Sequence, residues 1–296
     1  MDSPVFIPRA VVSSVVFLRS EIPESHPSTP VLGDERIGAG VAVGEHLVLT
    51  AHYLVLGASR AMVVGGDGRP REARRIALDH ESGLALLSVD GAALRPAPLG
   101  RSSPLRPGAR VFLLTCTGEQ ERKGASGFVT SVGPFEAFWE YMLDSALMTT
   151  VVNPGLAGAP LFDGDAHLVG IVSLGLMAVA RYSLAIPIDL FSARRAVLEG
   201  EETRPESRAW LGMYPQMNDG AVAIKGVVQG GPSEQAGLAE GDFVLSVDGQ
   251  PVTSLRELYR AFWRKAPGEP LDLQVLRESQ IRVVHVLAGD RYEFYK

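Results

Sequence analysis

Between Val11 and Pro187, short runs of apolar and β-branched residues alternate with turns rich in glycine, proline, aspartate and serine. Such runs are typical of β-strands, and many short strands at this spacing favour a β-barrel or a β-sandwich pair. The predicted strands are Val11–Leu18, Ile37–Val43, His46–Thr50, Arg60–Val64, Leu84–Val89, Arg110–Leu114, Gly127–Val132, His167–Leu174 and Tyr182–Ile186. Residues 19–36 form a long polar connection with three prolines, which predicts an interaction loop or a mobile segment.

The pattern changes after a predicted helix at Asp189–Leu198. The polar segment Glu199–Arg208 lacks periodicity and predicts a linker, with the domain boundary near residue 205. The elements predicted beyond it are strands Ala221–Val228, Phe243–Val247, Leu271–Arg277 and Ile281–Leu287 and helices Ser233–Ala239 and Ser254–Lys265. We therefore expect a first domain at 1–200, a linker at 201–208, a second domain at 209–290 and a tail at 291–296.

The composition excludes several classes of protein. Of the 296 residues, 46% are hydrophobic and 21% charged, so the chain can form two cores and is not mainly disordered. A net charge of -6 without a basic cluster argues against nucleic-acid binding, because contact with phosphates requires a positive face. No apolar run reaches the roughly 18 residues of a membrane span.

Cys116 is the only cysteine, which excludes an internal disulfide and a zinc site made of cysteines. We accordingly predict no metal and no cofactor. The segment that begins at Met1 lacks the basic and apolar regions of a secretory signal. Two compartments stay open: the cytoplasm if Met1 is the natural first residue, and the periplasm or another extracytoplasmic space if a leader has been removed.

Three segments carry candidate chemistry. A predicted hairpin in Gly38–His52 places His52 directly after a strand. The segment Leu78–Leu87 has the sequence Leu-Asp-His-Glu-Ser-Gly-Leu-Ala-Leu-Leu, with Gly83 immediately before a strand. The segment Val152–Leu161 has the sequence Val-Asn-Pro-Gly-Leu-Ala-Gly-Ala-Pro-Leu, in which glycines flank a short apolar stretch.

In this order and at this spacing, the three segments resemble the trypsin-like serine proteases of the HtrA (Deg) family. The resemblance implies a mainly β fold, a trypsin-like double six-stranded β-barrel. It implies that His52 is the general base, that Gly83 replaces the aspartate that orients the histidine, and that Ala157 replaces the nucleophilic serine. The residues matched to the loop that forms the oxyanion hole are Gly155, Leu156 and Gly158.

The residues at positions 83 and 157 predict a protein without proteolytic activity. Serine acyl transfer needs a hydroxyl nucleophile, a base and a carboxylate, and Ala157 and Gly83 do not supply the first and the last. Asp79 lies four residues too early to replace the carboxylate without a rearranged loop. Departures from the family pattern in two separate loops favour natural loss over an engineered substitution. We therefore expect a non-catalytic HtrA-like scaffold, a pseudoprotease.

Two alternatives stay open. One is a serine-type endopeptidase-like hydrolase with weak or unconventional activity, built on His52 and another nucleophile such as Cys116. The other is a regulatory subunit that pairs with an active HtrA paralogue. Cys116 and the serines Ser126, Ser145 and Ser173 also suit an ordinary structural interpretation, since no base is placed near them in the sequence.

Residues 209–288 resemble a PDZ domain of the circularly permuted, α+β kind that ends HtrA proteases. The resemblance rests on Ala209–Met213 and on Gly230–Val252, which includes Ala-Gly-Leu-Ala-Glu-Gly-Asp-Phe-Val-Leu-Ser-Val-Asp-Gly. Such a domain binds a peptide as an added strand, and converging backbone N–H groups bind the terminal carboxylate. The residues expected to bind the peptide are Trp210, Leu211, Gly212, Met213, Leu258 and Phe262.

Two features modify this expectation. The apolar stripe of Leu258, Ala261 and Phe262 on the predicted helix also suits packing in the domain core. Pro215 removes a main-chain donor from the strand that would receive the peptide. The partners implied are the C-terminal tails of peptides or proteins, together with a homotrimer or an active HtrA paralogue; nucleic acid and a membrane span are not expected.

Overall fold

The computed structural model describes residues 9–91, 94–175, 182–204 and 207–296. The beginning of the chain and residues 205 and 206 of the expected linker lie outside the described residues. The chain divides into two compact units, Met1–Pro134 with Leu143–Thr203, and Phe135–Met142 with Arg204–Lys296. The second unit thus includes an eight-residue segment that the sequence analysis placed within 1–200.

The first unit begins with a closed six-stranded barrel. Its strands are β1 (Val15–Glu21), β2 (Glu35–Gly44), β3 (Leu47–Ala51), β4 (Arg60–Val64), β5 (Pro70–Asp79) and β6 (Leu84–Val89), and the short helices α1 (Arg9–Val12) and α2 (Thr29–Leu32) accompany them. The strands pair in the order β1-β2-β3-β6-β5-β4. Residues two apart on a strand share one face, so Val16 with Leu18 and Ala85 with Leu87 point into the barrel core.

A second closed barrel follows, from β7 to β12. Its strands are β7 (Arg110–Cys116), β8 (Arg122–Ala137), β9 (Tyr141–Thr149), β10 (Pro160–Asp163), β11 (Leu168–Gly175) and β12 (Ser183–Pro187), and they pair in the order β10-β11-β12-β9-β8-β7. Helix α3 (Ile188–Glu199) comes next and ends at Gly200, which takes a left-handed backbone with φ of 77°. The two barrels confirm the predicted double six-stranded architecture.

The second unit contains a five-stranded path of antiparallel strands and a helix. Its elements are β13 (Ala209–Trp210), β14 (Met213–Asn218), β15 (Ala221–Val227), α4 (Pro232–Gln235), β16 (Phe243–Val247), β17 (Gln250–Pro251), α5 (Leu255–Phe262), β18 (Pro270–Arg277), β19 (Gln280–Leu287), β20 (Gly289–Asp290) and α6 (Arg291–Phe294). The main sheet has the order β14-β15-β16-β18-β19. Helix α5 begins at the N-cap Ser254, whose hydroxyl accepts a hydrogen bond from the N–H of Glu257.

Several element predictions were wrong at their boundaries. The strand expected at Val11–Leu18 is divided into α1 and β1, because the chain turns at Ser13 and Ser14. The connection expected at 19–36 is shorter, since β1 continues to Glu21 and β2 begins at Glu35. The helices expected at Ser233–Ala239 and Ser254–Lys265 are present but shorter.

Within the two barrels, three strands had no counterpart in the prediction: β5, β9 and β10. Strand β5 has polar or charged residues at most of its first six positions, and β9 has Asp144 and Ser145 at its centre. These segments form strands because they pair with neighbouring strands in a closed barrel, although their own composition does not indicate strand structure. Among the described residues, no helix is both long enough and apolar enough to cross a membrane.

Candidate functional site

His52 lies at the end of a strand of the first barrel. Strand β3 ends at Ala51, and a single turn of 3-10 helix, His52–Leu54, follows it. Ala51 pairs with Leu84, the first residue of β6, so the residues next to this pair, His52 and Gly83, are brought together. The imidazole of His52 is therefore placed by strand register, and the residue is buried.

The carbonyl oxygen of Gly83 contacts His52 at two atoms. The backbone N–H of His52 donates to it over 2.9 Å, and the ring atom Nδ1 lies 3.2 Å from the same oxygen. A carbonyl oxygen only accepts hydrogen bonds, so this contact assigns a proton to Nδ1, and in the neutral imidazole the lone pair is then on Nε2. That is the tautomer in which the histidine of a serine protease acts as a general base.

A tight turn from Asp79 to Gly83 holds this carbonyl in place. The N–H of Gly83 donates to the carbonyl of Asp79 over 2.9 Å, and Gly83 has a left-handed φ of 77°. The carboxylate of Asp79 accepts hydrogen bonds from the amides of Glu81 and Ser82 and forms an ion pair with Arg194 at 3.2 Å. Asp79 thus stabilises the turn that carries the carbonyl.

The loop that contains Ala157 is held by the side chain of Asn153. Its Oδ1 accepts a hydrogen bond from the N–H of Gly155 over 3.0 Å, and its Nδ2 donates to the carbonyl of Leu156 over 3.0 Å. The N–H of Leu156 donates to the carbonyl of Cys116 over 3.1 Å. The amides of Gly155 and Leu156, two of the residues matched to the oxyanion loop, therefore have acceptors within the protein.

The end of the same loop is fixed against the first barrel. The carbonyl of Ala157 accepts a hydrogen bond from the N–H of Ala39 over 2.7 Å, and the N–H of Gly158 donates to Val172 over 2.9 Å. Gly158 has a φ of 80°, and a Cβ atom there would lie 2.2 Å from the carbonyl oxygen of Ala39. Glycine is required at position 158, since any side chain would collide with backbone.

Ala157 presents only a methyl group at the position matched to the nucleophile. The residue is partly exposed, so the site is open to a small molecule such as water, but a methyl cannot attack a carbonyl carbon. The thiol of Cys116, the alternative nucleophile, is buried, and burial raises its pKa to about 11. Because the thiolate is the reactive form, this environment makes Cys116 a poor nucleophile at neutral pH.

In the second unit, the residues expected to bind a peptide carboxylate are close together. The amides of Leu211 and Met213 donate to the carboxylate of Glu140, over 3.0 Å to Oε2 and 2.8 Å to Oε1. Gly212, between them, has a left-handed φ of 72°, which turns the chain so that the flanking amides converge. The predicted carboxylate-binding loop thus binds a carboxylate in this structure, one supplied by a side chain.

Glu140 is the main residue of this site that the sequence analysis missed. It is 4% exposed, and its burial raises its pKa to about 7, although hydrogen bonds from Leu211 and Met213 and the positive charge of Arg291 act in the opposite direction. An isolated glutamate about seventy positions before the PDZ motif carries no recognisable pattern. Its left-handed φ of 55° is likewise invisible in the sequence.

Helix α5 contributes apolar side chains to the core beside this loop. Leu258 and Phe262 are fully buried and belong to one cluster with Leu211, Met213 and Tyr259. In this structure the predicted peptide-binding side chains of the helix therefore pack in the core, which was the alternative interpretation. Their predicted contact with a peptide stays untested.

The strand next to the helix lies at one edge of the sheet. Strand β14 is the first strand of the sheet and pairs with β15 through Met213, Pro215 and Gln216, with an irregular register between the first two. Pro215 has no N–H to offer a neighbouring strand. The ring of Trp210 lies 4.6 Å from that of Phe294 in α6.

Two closed six-stranded barrels with an oriented histidine define the first unit as a trypsin-like peptidase fold, and the second unit has the sheet, helix and carboxylate-binding loop of a PDZ domain. The profile of the trypsin-like peptidase domain matches residues 38–171, and that of the PDZ domain matches residues 209–287. Several solved structures share the fold. An HtrA-type protease, AlgW with decapeptide, is 24% identical with a TM-score of 0.58 over 95% of this chain and 98% of its own. The serine endoprotease from Yersinia pestis is 22% identical with a TM-score of 0.57, over 95% of this chain and 96% of its own.

Curated relatives give the same result. A probable periplasmic serine endoprotease, DegP-like, from Halomonas elongata is 30% identical over 276 residues, which are 86% of this chain and 56% of the relative. The corresponding protein of Hahella chejuensis is 30% identical over 274 residues, 85% of this chain and 56% of the relative. The chain thus spans little more than half the length of these relatives. It belongs to the HtrA family.

These relatives contradict one expectation. The sequence analysis predicted that the chain is not an enzyme, but the relatives and the structural neighbours are named serine endoproteases. The prediction was drawn from two side chains of the triad. It took no account of the backbone carbonyl that orients His52, which a sequence motif does not reveal.

Proposed function

We propose that this HtrA-family chain is a serine-endopeptidase-like hydrolase of weak, unconventional activity whose PDZ domain binds the carboxyl termini of peptides. The observation that carries the catalytic part is the contact of His52 Nδ1 with the carbonyl of Gly83, which leaves Nε2 as a proton acceptor. With a methyl at position 157, the attacking group is water rather than a side-chain hydroxyl.

The proposed reaction needs no acyl-enzyme. Nε2 of His52 accepts a proton from a water molecule as the water oxygen attacks the carbonyl carbon of the peptide bond. The tetrahedral intermediate then collapses, the carbon–nitrogen bond breaks, and the proton on Nε2 passes to the leaving amine. The products are a free carboxyl terminus and a free amine, so one water is consumed and His52 returns to its starting tautomer.

Backbone atoms account for both the activity and its weakness. The carbonyl of Gly83 orients the ring as an aspartate would, but it carries no negative charge to stabilise the imidazolium that forms during reaction. Loss of the nucleophile in a serine protease costs about a million-fold in rate, and residual catalysis is about a thousand-fold or more above water. We expect the wild-type chain to lie at this residual level.

Variants of three positions test the catalytic proposal on quenched fluorescent peptides. His52→Ala, purified in parallel, should lower the rate below that of wild type, because the general base is lost while binding of the peptide remains. Ala157→Ser should raise it about 100-fold, because the nucleophile returns while a carbonyl still replaces the carboxylate, a loss of about ten-thousand-fold in a complete triad. Equal rates for wild type and His52→Ala would contradict the proposal.

The double variant Gly83→Asp with Ala157→Ser examines the role of the carbonyl. Aspartate and asparagine both tolerate a left-handed backbone, so Gly83→Asn with Ala157→Ser is the matched control without charge. A higher rate for the aspartate variant than for the asparagine variant would show that charge, and not orientation alone, limits the reaction. Circular dichroism should confirm that each variant is folded.

The converging amides of Leu211 and Met213 support the peptide-binding part of the proposal, because they already bind a carboxylate at 2.8–3.0 Å. One of the structural neighbours is described with a decapeptide. Fluorescent decapeptides whose last residue varies among Ala, Val, Leu, Ile and Phe should bind when the terminus is a free carboxylate. The same peptides with amidated termini should bind more weakly, and equal binding by both forms would contradict the proposal.

A further inference from the structure

The carboxylate-binding loop of the second unit already holds a ligand from its own chain. Both oxygens of the Glu140 side chain accept backbone hydrogen bonds, from Leu211 over 3.0 Å and from Met213 over 2.8 Å. A terminal carboxylate of a peptide has the same two oxygens, and it would need the same two donors. One pair of amides cannot bind two carboxylates at once.

The rest of the segment Phe135–Met142 also contacts the elements that form a peptide-binding site. The hydroxyl of Tyr259 in α5 donates to the carbonyl of Ala137, and Arg256 in the same helix pairs with Glu136 at 2.5 Å. The ring of Phe138 lies 6.3 Å from that of Tyr214 in β14. The segment therefore contacts the helix, the edge strand and the carboxylate-binding loop.

The backbone conformation and the burial of Glu140 are both energetically unfavourable, so other contacts of the segment must compensate for them. Its backbone φ of 55° is in the left-handed region, where a residue other than glycine is strained. Its carboxylate is removed from water, which is unfavourable unless hydrogen bonds replace the lost hydration. A contact held in such a conformation is a good candidate for release when a ligand offers the same hydrogen bonds without strain.

We propose that the segment Phe135–Met142 is an internal competitor of the PDZ site, in which the Glu140 side chain occupies the position of a peptide's terminal carboxylate until a peptide displaces it. This inference rests on the proposed peptide binding. The group that occupies the carboxylate-binding loop is the side chain of Glu140 of the same chain, and the ligand that displaces it is a peptide with a free carboxyl terminus.

The experiment compares the full chain with Glu140→Ala, Glu140→Gln and the control Glu240→Ala, an exposed glutamate of the same unit. The probes are the free and amidated decapeptides described above, and binding is measured by fluorescence anisotropy. Glu140→Ala should bind the free-carboxylate peptide at least about tenfold more tightly than wild type, since the competitor is removed. Glu240→Ala should bind like wild type.

A second measurement does not depend on peptide binding. In nitrogen-15 NMR spectra, the amide signals of Leu211 and Met213 should shift strongly in Glu140→Gln, whereas those of β19 should not move. Thermal unfolding of each variant establishes that it remains folded.

The outcomes separate the two proposals. Equal peptide affinity of wild type and Glu140→Ala would overturn the internal competitor while leaving peptide binding intact. If no protein binds any free-carboxylate peptide, the proposed peptide binding fails. In that case the NMR spectra still test whether Glu140 occupies the loop. Unshifted amide signals of Leu211 and Met213 in Glu140→Gln would overturn the occupation as well. Shifted signals would support the occupation and leave it without a peptide that displaces Glu140.

Discussion

The amide of Met213 donates to a carboxylate of Glu140 that lies 73 positions earlier in the sequence, over 2.8 Å. This hydrogen bond makes the occupation of the carboxylate-binding loop sensitive to pH. Burial raises the pKa of Glu140 from its usual 4.5 to about 7, so the docked side chain holds a proton more strongly than the undocked one. Docking is therefore most favourable below about pH 4.5 and weakens as the pH rises through 7.

The tyrosines near Glu140 do not titrate in that range. Arg291 donates a hydrogen bond to the carbonyl of Glu140 over 3.2 Å. Burial raises the pKa of Tyr214 and Tyr259, and it raises the pKa of Tyr295 to about 12. A pH dependence between 4.5 and 7 can thus be assigned to the glutamate.

The measurement is the ratio of peptide affinities of Glu140→Ala and wild type from pH 5 to pH 8. The peptide's own carboxylate contributes equally to both proteins, so the ratio isolates Glu140. We expect the advantage of Glu140→Ala to shrink by about tenfold or more as the pH rises, since one pKa unit corresponds to a tenfold change. A ratio independent of pH would contradict this prediction.

Asp242 and Arg277 form a second buried contact of the PDZ domain. The side chain of Asp242 is inaccessible, and Arg277 donates to its two oxygens over 2.5 and 2.6 Å. Burial alone would raise the pKa of Asp242, but these bonds and the Ala239 amide lower it. Arg277→Ala should reduce the free energy of unfolding by about 2 kcal/mol, because it leaves a buried charge without its partner, discounted for the partial exposure of the arginine.

Urea unfolding checks this prediction, with exposed Lys225→Ala as the control for loss of a positive charge. Because the folded pKa of Asp242 lies below its unfolded value, the contribution of the pair is present above about pH 4 and is lost as the pH falls. The difference between wild type and Arg277→Ala should therefore shrink in acid. An undiminished difference at pH 2 would contradict the assignment.

Gly158 allows a close approach that another residue would prevent. Its added Cβ would lie 2.2 Å from the carbonyl of Ala39 and 2.5 Å from the hydroxyl of Thr50, at a φ of 80°. Gly158→Ala should cost about 2 kcal/mol or more and displace the loop that carries Ala157. Gly164→Ala is the control, because a Cβ there meets nothing within 4 Å. Chemical denaturation measures the free energy of unfolding of both variants, and equal values would contradict the predicted collision at position 158.

Trp210 depends on the end of the described chain for its burial. It is 4% exposed, and its ring lies 4.6 Å from Phe294 and 5.6 Å from Tyr295. Phe294→Ala should lower the free energy of unfolding by about 1–2 kcal/mol and shift tryptophan emission to longer wavelength, since water reaches the indole. Phe294→Leu keeps most of the volume and should have a smaller effect. An unchanged spectrum for the alanine variant would exclude this role.

Cys116 should resist modification in the folded protein. Its thiol is buried and its pKa is raised to about 11, so the thiolate fraction at pH 8 is small. Iodoacetamide should therefore label Cys116 only after unfolding, as measured by mass spectrometry. Rapid labelling of the native chain would restore the cysteine as a candidate nucleophile.

The sequence predicted those parts of the fold whose local pattern agrees with the tertiary structure. The strands around His52 and Ala157 have either alternating apolar and polar residues or continuous apolar runs, and short glycine motifs indicate the turns beside them. Strand β5, by contrast, is rich in charge because one face is exposed, and its pairing with β4 and β6 makes it a strand. The predicted double barrel and PDZ domain were confirmed for this reason.

The candidate site was only partly predictable, because several of its contacts involve backbone atoms. The contacts use the backbone carbonyl of Gly83 and the backbone amides of Leu211 and Met213. Backbone groups of this kind are shared by nearly all residue types, so their roles depend on conformation and not on side-chain identity. Glu140 contacts residues about seventy positions away and has no motif of its own. The predicted homotrimer, the paralogue partner, the compartment, the domain boundaries and the roles of the site residues stay predictions.

The orientation of His52 by a main-chain oxygen gives this protein an unusual mutational tolerance. No single side-chain replacement can delete that oxygen, so the ring keeps its alignment as long as the 79–83 turn keeps its shape. A lineage with this arrangement can lose or regain a hydroxyl at position 157 in one substitution while the ring of His52 keeps its orientation. Under the function proposed above, a single codon change then separates a weak hydrolytic site from a stronger one.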